Sequence, residues 1–227
     1  MPPPTHFLCL QLASAQLTRS LAVFRADVTG AHGFGVPDDA VRPPGTLHLT
    51  LGVMSLNQED TRRAVDLLNT LRPREVLAEV RVRASAAAKG RTEDGGLAIS
   101  LRGLRSTTSP ASTSVLYAPP SDAEGVLYAF CEALQRPFRE MGLIGDENRP
   151  LLLHATVVNT VYVRGGGGGG GRRKGRLVLD ARDLMGRYAD YVWAQDMPVR
   201  RVALCRMGAR KVDGDDEVYE VEGEIEI

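Results

Sequence analysis

The feature that most constrains how this chain folds is a short phrase that occurs twice. The phrase reads LHLTL at residues 47–51 and LHATV at residues 153–157. In each copy a histidine and a threonine stand two positions apart among apolar residues. Side chains alternate between the two faces of a β-strand, so the histidine and threonine share one face. The two copies predict two similar strands, each with a polar face and a buried face.

The polar faces of these strands carry four candidate site residues: His48, Thr50, His154 and Thr156. An imidazole transfers protons near neutral pH, and a threonine hydroxyl donates a hydrogen bond to an anionic oxygen. Cleavage of a phosphodiester needs one group that accepts a proton from the attacking oxygen and another that protonates the leaving oxygen. Two histidines meet that need without a metal, and the threonines would hold the non-bridging phosphate oxygens.

A structural role for these histidines is the alternative, because a histidine in an apolar strand is more often a satisfied interior residue than a catalyst. The chain has four histidines, and two of them, His48 and His154, occupy the same His-x-Thr phrase. This repetition favours a functional pair. The sequence leaves open which histidine is the base, because that depends on the side from which the attacking oxygen approaches.

The remaining periodicity predicts an α+β protein in which helices lie outside antiparallel sheets. Its length suits one domain of two lobes over residues 1–227. A glycine-rich insertion at residues 165–175 is predicted to be flexible. The main predicted elements are strand 7–12, helix 14–27, strand 47–54, a helix from Asn57 to Pro73, strand 76–84, a helix capped by Ser121 and Glu124, strand 151–160, helix 181–193 and strand 199–207.

Composition narrows the functional classes. Lysine plus arginine equals 28 and aspartate plus glutamate equals 28, so no overall positive field attracts nucleic acid. Three widely spaced cysteines indicate neither a disulfide framework nor a zinc site, which favours the cytoplasm or nucleus. The apolar run at residues 7–12 is too short to cross a membrane. His6 and His32 lack partners at metal-ligand spacing, so we expect no metal and no other cofactor.

The two phrases resemble the paired His-x-Thr motifs of the two-histidine phosphoesterase superfamily. Within it, residues 47–56 (LHLTLGVMSL) and 151–160 (LLLHATVVNT) resemble the nuclear ligand-binding domain of A-kinase anchoring proteins and the phosphoesterase-like domain of activating signal cointegrator complex subunit one. The likeness extends over nearly the whole chain apart from its loops, and a fungal-type relative is expected.

The resemblance implies a bilobal fold, with two pseudo-symmetric antiparallel sheets around a central cleft that binds a nucleotide or an RNA terminus. It implies hydrolysis of a 2′,3′-cyclic, 2′,5′ or 3′,5′ phosphodiester, with His48 and His154 as acid–base catalysts and Thr50 and Thr156 as phosphate binders. The expected state is a monomer, and a protein partner from a coactivator or kinase-signalling complex is a further expectation. The alternative is a module that binds a nucleotide such as AMP without turnover.

Overall fold

The structure is a computed structural model that describes residues 2–30, 32–84, 95–145, 150–163, 177–212 and 216–227. Its helices are α1 (Ala15–Thr29), α2 (Gln58–Thr70), α3 (Pro73–Ala84), α4 (Leu127–Glu140) and α5 (Arg182–Arg187). Its strands are β1 (His6–Gln11), β2 (His48–Met54), β3 (Leu97–Arg102), β4 (Arg105–Ser106), β5 (Val115–Ala118), β6 (Pro120–Ser121), β7 (Ala155–Asn159), β8 (Val192–Val199), β9 (Arg201–Arg206), β10 (Arg210–Lys211), β11 (Glu217–Val218) and β12 (Val221–Glu226).

A seven-stranded sheet with the order β12-β9-β1-β2-β7-β5-β4 forms the centre of the fold, and its pairs are antiparallel. The two motif strands, β2 and β7, are neighbours in this sheet. Within the described ranges they pair through a single Cα partnership, Leu49 with Ala155. A four-stranded part and a three-stranded part therefore meet at this junction. The predicted α+β fold with antiparallel sheets is confirmed.

Helices cover the sheets through amphipathic faces. In α1 the Ser14 side chain accepts a hydrogen bond from the Leu17 amide and begins the helix. In α2 the Asn57 side chain does the same for the Asp60 amide, and the helix then packs on β12 and β9. Helix α4 packs on β2 and α1 packs on β8, so the motif strand β2 has a helix behind its apolar face. The rear of β2 is thereby closed to solvent.

The strand predicted at residues 76–84 is wrong, because these residues belong to helix α3. Apolar and charged residues alternate there, but the buried side chains are Pro73, Leu77 and Val80, at spacings of four and three. That spacing places them on one helix face, and α3 packs against α4. Pro73 follows the end of α2, as predicted, and is also the first residue of α3, a position where its missing N–H costs nothing.

The capping box predicted for Ser121 and Glu124 is also wrong. The Asp122 carboxylate accepts hydrogen bonds from the backbone amides of residues 126 and 127, so Asp122 caps α4 instead. Glu124 makes a two-point ion pair with Arg81 of α3, with N–O distances of 2.6 and 2.7 Å. The Glu124 side chain therefore joins two helices instead of capping one.

Two further elements differ from their predicted extents. The helix predicted at residues 181–193 is limited to α5, and Trp193 lies in strand β8, which pairs with β3. The buried Trp193 indole N–H donates to the Gly103 carbonyl at 2.8 Å. The strand predicted at residues 151–160 is shorter than expected, because β7 begins just after His154 and a short 3-10 turn, Thr160–Tyr162, follows it.

Other sequence predictions concern the glycine-rich insertion, membrane-spanning segments and the cysteines. The glycine-rich insertion predicted at residues 165–175 lies outside the described residues. Among the residues that the structure describes, no helix has the length and apolar character to cross a membrane. Cys9, Cys131 and Cys205 are buried free thiols, and the Sγ atoms of Cys9 and Cys205 lie 4.0 Å apart.

Candidate active site

The register of β2 against β7 brings the two His-x-Thr motifs together. Leu49 pairs with Ala155, and both side chains are fully buried behind the sheet. In an antiparallel pair, the residue before Leu49 faces the residue after Ala155, and the reverse. His48 therefore lies opposite Thr156, and Thr50 lies opposite His154. Because alternate residues share a face, all four predicted site residues lie on the face away from the core. Each histidine thus neighbours the threonine of the other motif.

The two imidazoles are oriented by the same local hydrogen bond. The Nδ1 atom of His48 lies 2.7 Å from the Thr46 carbonyl oxygen, and the Nδ1 atom of His154 lies 2.8 Å from the Leu152 carbonyl oxygen. A carbonyl oxygen only accepts, so Nδ1 carries the proton in both rings. The neutral form of each ring then has an unprotonated Nε2. Both motifs therefore present the same nitrogen for proton transfer.

Aromatic rings enclose His48 more fully than His154. The His48 ring centroid lies 4.7 Å from that of Phe7 and 5.4 Å from that of Tyr219, which meets it edge-on. Burial lowers the pKa of His48 from 6.5 to about 4, against the opposing effect of the Thr46 carbonyl, and positive charge on His154 and Arg42 lowers it further. His48 is therefore neutral at pH 7.

His154 occupies a more open position. It is partly exposed immediately before β7, and its ring meets the Tyr117 ring edge-on, with centroids 5.4 Å apart. Tyr117 lies on the neighbouring strand β5, where it pairs with Thr156. One aromatic neighbour instead of two leaves His154 accessible to a ligand from the solvent side.

A cavity of about 180 Å³ opens on this face of the sheet. Three of the four predicted site residues, His48, Thr50 and Thr156, line it, whereas His154 is not among its lining residues within the described ranges. The Thr50 and Thr156 hydroxyls make no hydrogen bond to any residue that the structure describes, so both are available to a ligand. The other residues that line the cavity are Phe7, Arg42, Thr46, Val53, Asn159, Tyr162, Met207 and Tyr219.

Sequence reasoning missed Arg42 and Tyr219. Arg42 lies in the loop before β2, is buried, and holds its guanidinium Cζ 3.7 Å from the centroid of the Tyr162 ring. Burial, with a contribution from Tyr162, raises the pKa of Tyr219 against the opposing effect of the neighbouring Arg42, so Tyr219 keeps its hydroxyl proton. An arginine six positions before the first motif histidine was the available signal for Arg42. Tyr219 follows the last short hairpin, and no sequence pattern connects it to either motif.

Other polar residues lie away from this cavity. Arg201 and Arg206 of β9 pair with Glu224 and Glu222 and do not line it. His6 is buried beside Glu222, with the two side chains 3.4 Å apart. Over the described residues, no group of three or more histidine, cysteine, aspartate or glutamate side chains is placed to hold a metal ion.

Comparison with known sequences gives relatives that span most of the chain. The family model described as "AKAP7 2'5' RNA ligase-like domain" matches residues 4–227. An uncharacterized protein of Schizosaccharomyces pombe is 27% identical over 217 residues, which cover 91% of this chain and 88% of that protein. Activating signal cointegrator 1 complex subunit 1 of Mus musculus is 26% identical over 167 residues, covering 70% of this chain and 43% of that protein.

Solved structures share the fold at low sequence identity. A crystal structure of a phosphoesterase has a TM-score of 0.53 at 16% identity and covers 100% of this chain and 99% of its own. E. coli LigT complexed with 3'-AMP has a TM-score of 0.52 at 15% identity, with the same coverage. LigT complexed with NADP+ gives 0.51 at 15% identity, again with the same coverage. At these identities the likeness concerns the arrangement of the backbone.

Proposed function

The chain belongs to the AKAP7 2'5' RNA ligase-like domain family, and from that premise we propose that it is a phosphodiesterase of the two-histidine type. Its substrate is a nucleotide or an RNA terminus with a 2′,3′-cyclic, 2′,5′ or 3′,5′ phosphodiester. His48 and His154 are the acid–base pair, and no metal takes part. The nucleotide class is supported by structural neighbours whose titles name 3'-AMP and NADP+ as their ligands.

One observation carries this proposal: the matched orientation of the two imidazoles. Each Nδ1 donates to the carbonyl two residues earlier in the chain, at 2.7 and 2.8 Å. A purely structural histidine has no need to leave Nε2 without a protein partner, and here neither Nε2 makes a hydrogen bond to a residue within the described ranges. Two imidazoles with Nε2 free, on neighbouring strands of one sheet face, supply one proton acceptor and one proton donor.

In the proposed reaction, an attacking water or hydroxyl gives its proton to Nε2 of His48 as its oxygen bonds to phosphorus. Nε2–H of His154 protonates the leaving oxygen as the other P–O bond breaks. The lowered pKa of His48 supports its assignment as the base, because a base must enter the reaction unprotonated.

Thr50 and Thr156 have a separate role in this proposal. Each threonine lies opposite the histidine of the other motif, so the two threonines are diagonal to each other. Each hydroxyl donates to a non-bridging oxygen of the same phosphate. Charge builds on these oxygens in the transition state, which strengthens the hydrogen bonds that the threonines donate. Neither threonine moves a proton in the reaction, so their loss should reduce the rate less than loss of a histidine.

A nucleotide-binding module without turnover is the second candidate. The observation that favours it is the same pKa of about 4, because such a weakly basic imidazole takes up a proton poorly near neutral pH. A bound phosphate anion beside His48 raises the pKa of the ring, which restores its basicity in the complex. A role for such a module within a signalling or coactivator complex would accord with the mouse relative's name.

The test separates these two candidates. The purified protein is incubated in EDTA with 2′,3′-cyclic nucleotides and with 2′,5′- and 3′,5′-linked oligoribonucleotides, and products are separated by chromatography. We expect turnover of at least one linkage, reduced by roughly 10²–10⁴-fold in His48→Ala and in His154→Ala. Thr50→Val and Thr156→Val should lose less.

The exposed histidine His32 supplies a matched control, and His32→Ala should keep the full rate. Activity that is indifferent to both motif histidines would contradict the proposed mechanism. Absence of turnover with every linkage, together with measurable nucleotide binding, would instead establish the binding module.

A further inference from the structure

The charge of the cavity rests on one residue. At pH 7 Arg42 is the single fully charged side chain among the described residues that line the cavity, because His48 is neutral and the others are uncharged. No carboxylate lines it within those residues. A small cavity with one cation and several hydroxyl donors is electrostatically complementary to an anion.

The guanidinium of Arg42 is buried without a full complement of partners. The residue is 4% exposed, and its Nη2 atom makes no hydrogen bond to any described residue. The nearest carboxylate, that of Glu217, lies 3.8 Å away, beyond hydrogen-bonding distance. The ring of Tyr162 covers the group without accepting a conventional hydrogen bond. Burial of an incompletely paired cation is costly, so its retention needs an explanation.

The backbone holds Arg42 next to the second motif. Its amide donates to the Val157 carbonyl at 2.9 Å, and Val41 forms a β-bridge with Val158. The loop that precedes β2 is thus tied to β7, beside Thr156. Arg42, from the loop before the first His-x-Thr motif, is thereby fixed against β7, next to the second motif.

We propose that Arg42 supplies the positive charge that binds the phosphate of the ligand in this cavity. The inference rests on the proposed function for the location of the phosphate, and it adds a binding residue outside both motifs. Glu217 opposes it by neutralising part of the guanidinium charge. Because Arg42 is buried, its charge acts through a lower effective dielectric than that of an exposed arginine, so it attracts an anion more strongly.

Binding of inorganic phosphate, measured by isothermal titration calorimetry at pH 7, tests this role without any need for turnover. Arg42→Met keeps the length of the side chain and removes its charge, and we expect it to weaken phosphate binding roughly ten- to a hundredfold. Glu217→Gln removes the opposing charge, so phosphate should bind more tightly, by about threefold. A merely structural role for Arg42 predicts that a folded Arg42→Met variant binds phosphate as tightly as the wild type.

Arg182→Met is the control for loss of one positive charge, since Arg182 is an exposed residue paired with Asp180. The phosphate affinity of this variant should equal that of the wild type. Wild-type protein that binds no phosphate at millimolar concentration would overturn the inference, as would unchanged binding in either Arg42→Met or Glu217→Gln. If circular dichroism shows that Arg42→Met is unfolded, Glu217→Gln decides alone. Phosphate binding that depends on Arg42 in a protein without turnover would end the proposed function and leave this inference standing.

Discussion

The low pKa of His48 makes a quantitative prediction about stability. In the folded protein the pKa is about 4, against 6.5 for a solvated histidine. The unfolded chain therefore takes up a proton at this residue at a higher pH than the folded chain does. As pH falls below 6.5, protonation favours unfolding, and this effect reaches its limit once pH has passed below the folded pKa.

The size of the effect follows from the two pKa values. Linkage gives a loss in the free energy of unfolding of about 2 kcal/mol between pH 7 and pH 5, and about 3 kcal/mol by pH 4. His48→Asn provides the reference, because its amide nitrogen replaces Nδ1 as the donor to the Thr46 carbonyl but does not titrate. The stability of the wild type should fall relative to that of the variant by these amounts.

Urea unfolding at pH 7 and pH 5, followed by the fluorescence of Trp193, the one tryptophan of the chain, measures both proteins. Histidine signals in an NMR titration give the pKa directly. Stability curves of wild type and His48→Asn that run parallel with pH would refute the reasoning, as would an NMR pKa near 6.5. Either result would mean that water reaches the His48 ring beneath Phe7 and Tyr219.

Three further predictions concern stability and are measured by urea unfolding. Glu124→Gln removes the counter-charge of the buried Arg81, which keeps its hydrogen bonds to the Gly95 and Gly96 carbonyls, so it should cost about 3 kcal/mol, more than a surface ion-pair variant such as Arg182→Met. Asp122→Ala removes the cap of α4 and should cost about 1 kcal/mol. An unchanged free energy of unfolding would show that these two hydrogen bonds do not stabilise the helix. Trp193→Phe leaves the Gly103 carbonyl without its donor and should cost about 1–3 kcal/mol from that change alone; a smaller cost would show that water replaces the indole.

The arrangement of the four motif residues in the candidate site could be predicted from sequence because strand alternation is a local rule. His48 and Thr50 share a face whatever the rest of the chain does, and the same holds for His154 and Thr156. Arg42 was not predictable, because its position depends on a backbone hydrogen bond to Val157, more than a hundred residues away. Local patterns do not encode contacts of that kind.

The errors in the fold have a similar origin. In residues 76–84 the alternation of apolar and charged residues fits a strand, and only the contact of α3 with α4 selects the helical face. Trp193 was predicted to lie at the end of a helix, but its partner is the Gly103 carbonyl, and β8 pairs with β3 from a distant part of the chain. Short segments with two acceptable periodicities are decided by tertiary partners.

The pairing of Leu49 with Ala155 relates the two motifs by a local two-fold axis that passes between the strands. Under the roles proposed here, rotation about that axis exchanges the proton acceptor with the proton donor. The same exchange converts phosphodiester cleavage into phosphodiester formation, by microscopic reversibility. The axis relates the backbone of the two motifs and not their surroundings, since Phe7 and Tyr219 enclose His48 alone. A catalyst speeds a reaction in both directions, so the concentrations of water, hydroxyl ends and phosphodiester decide whether the site opens a bond or closes one.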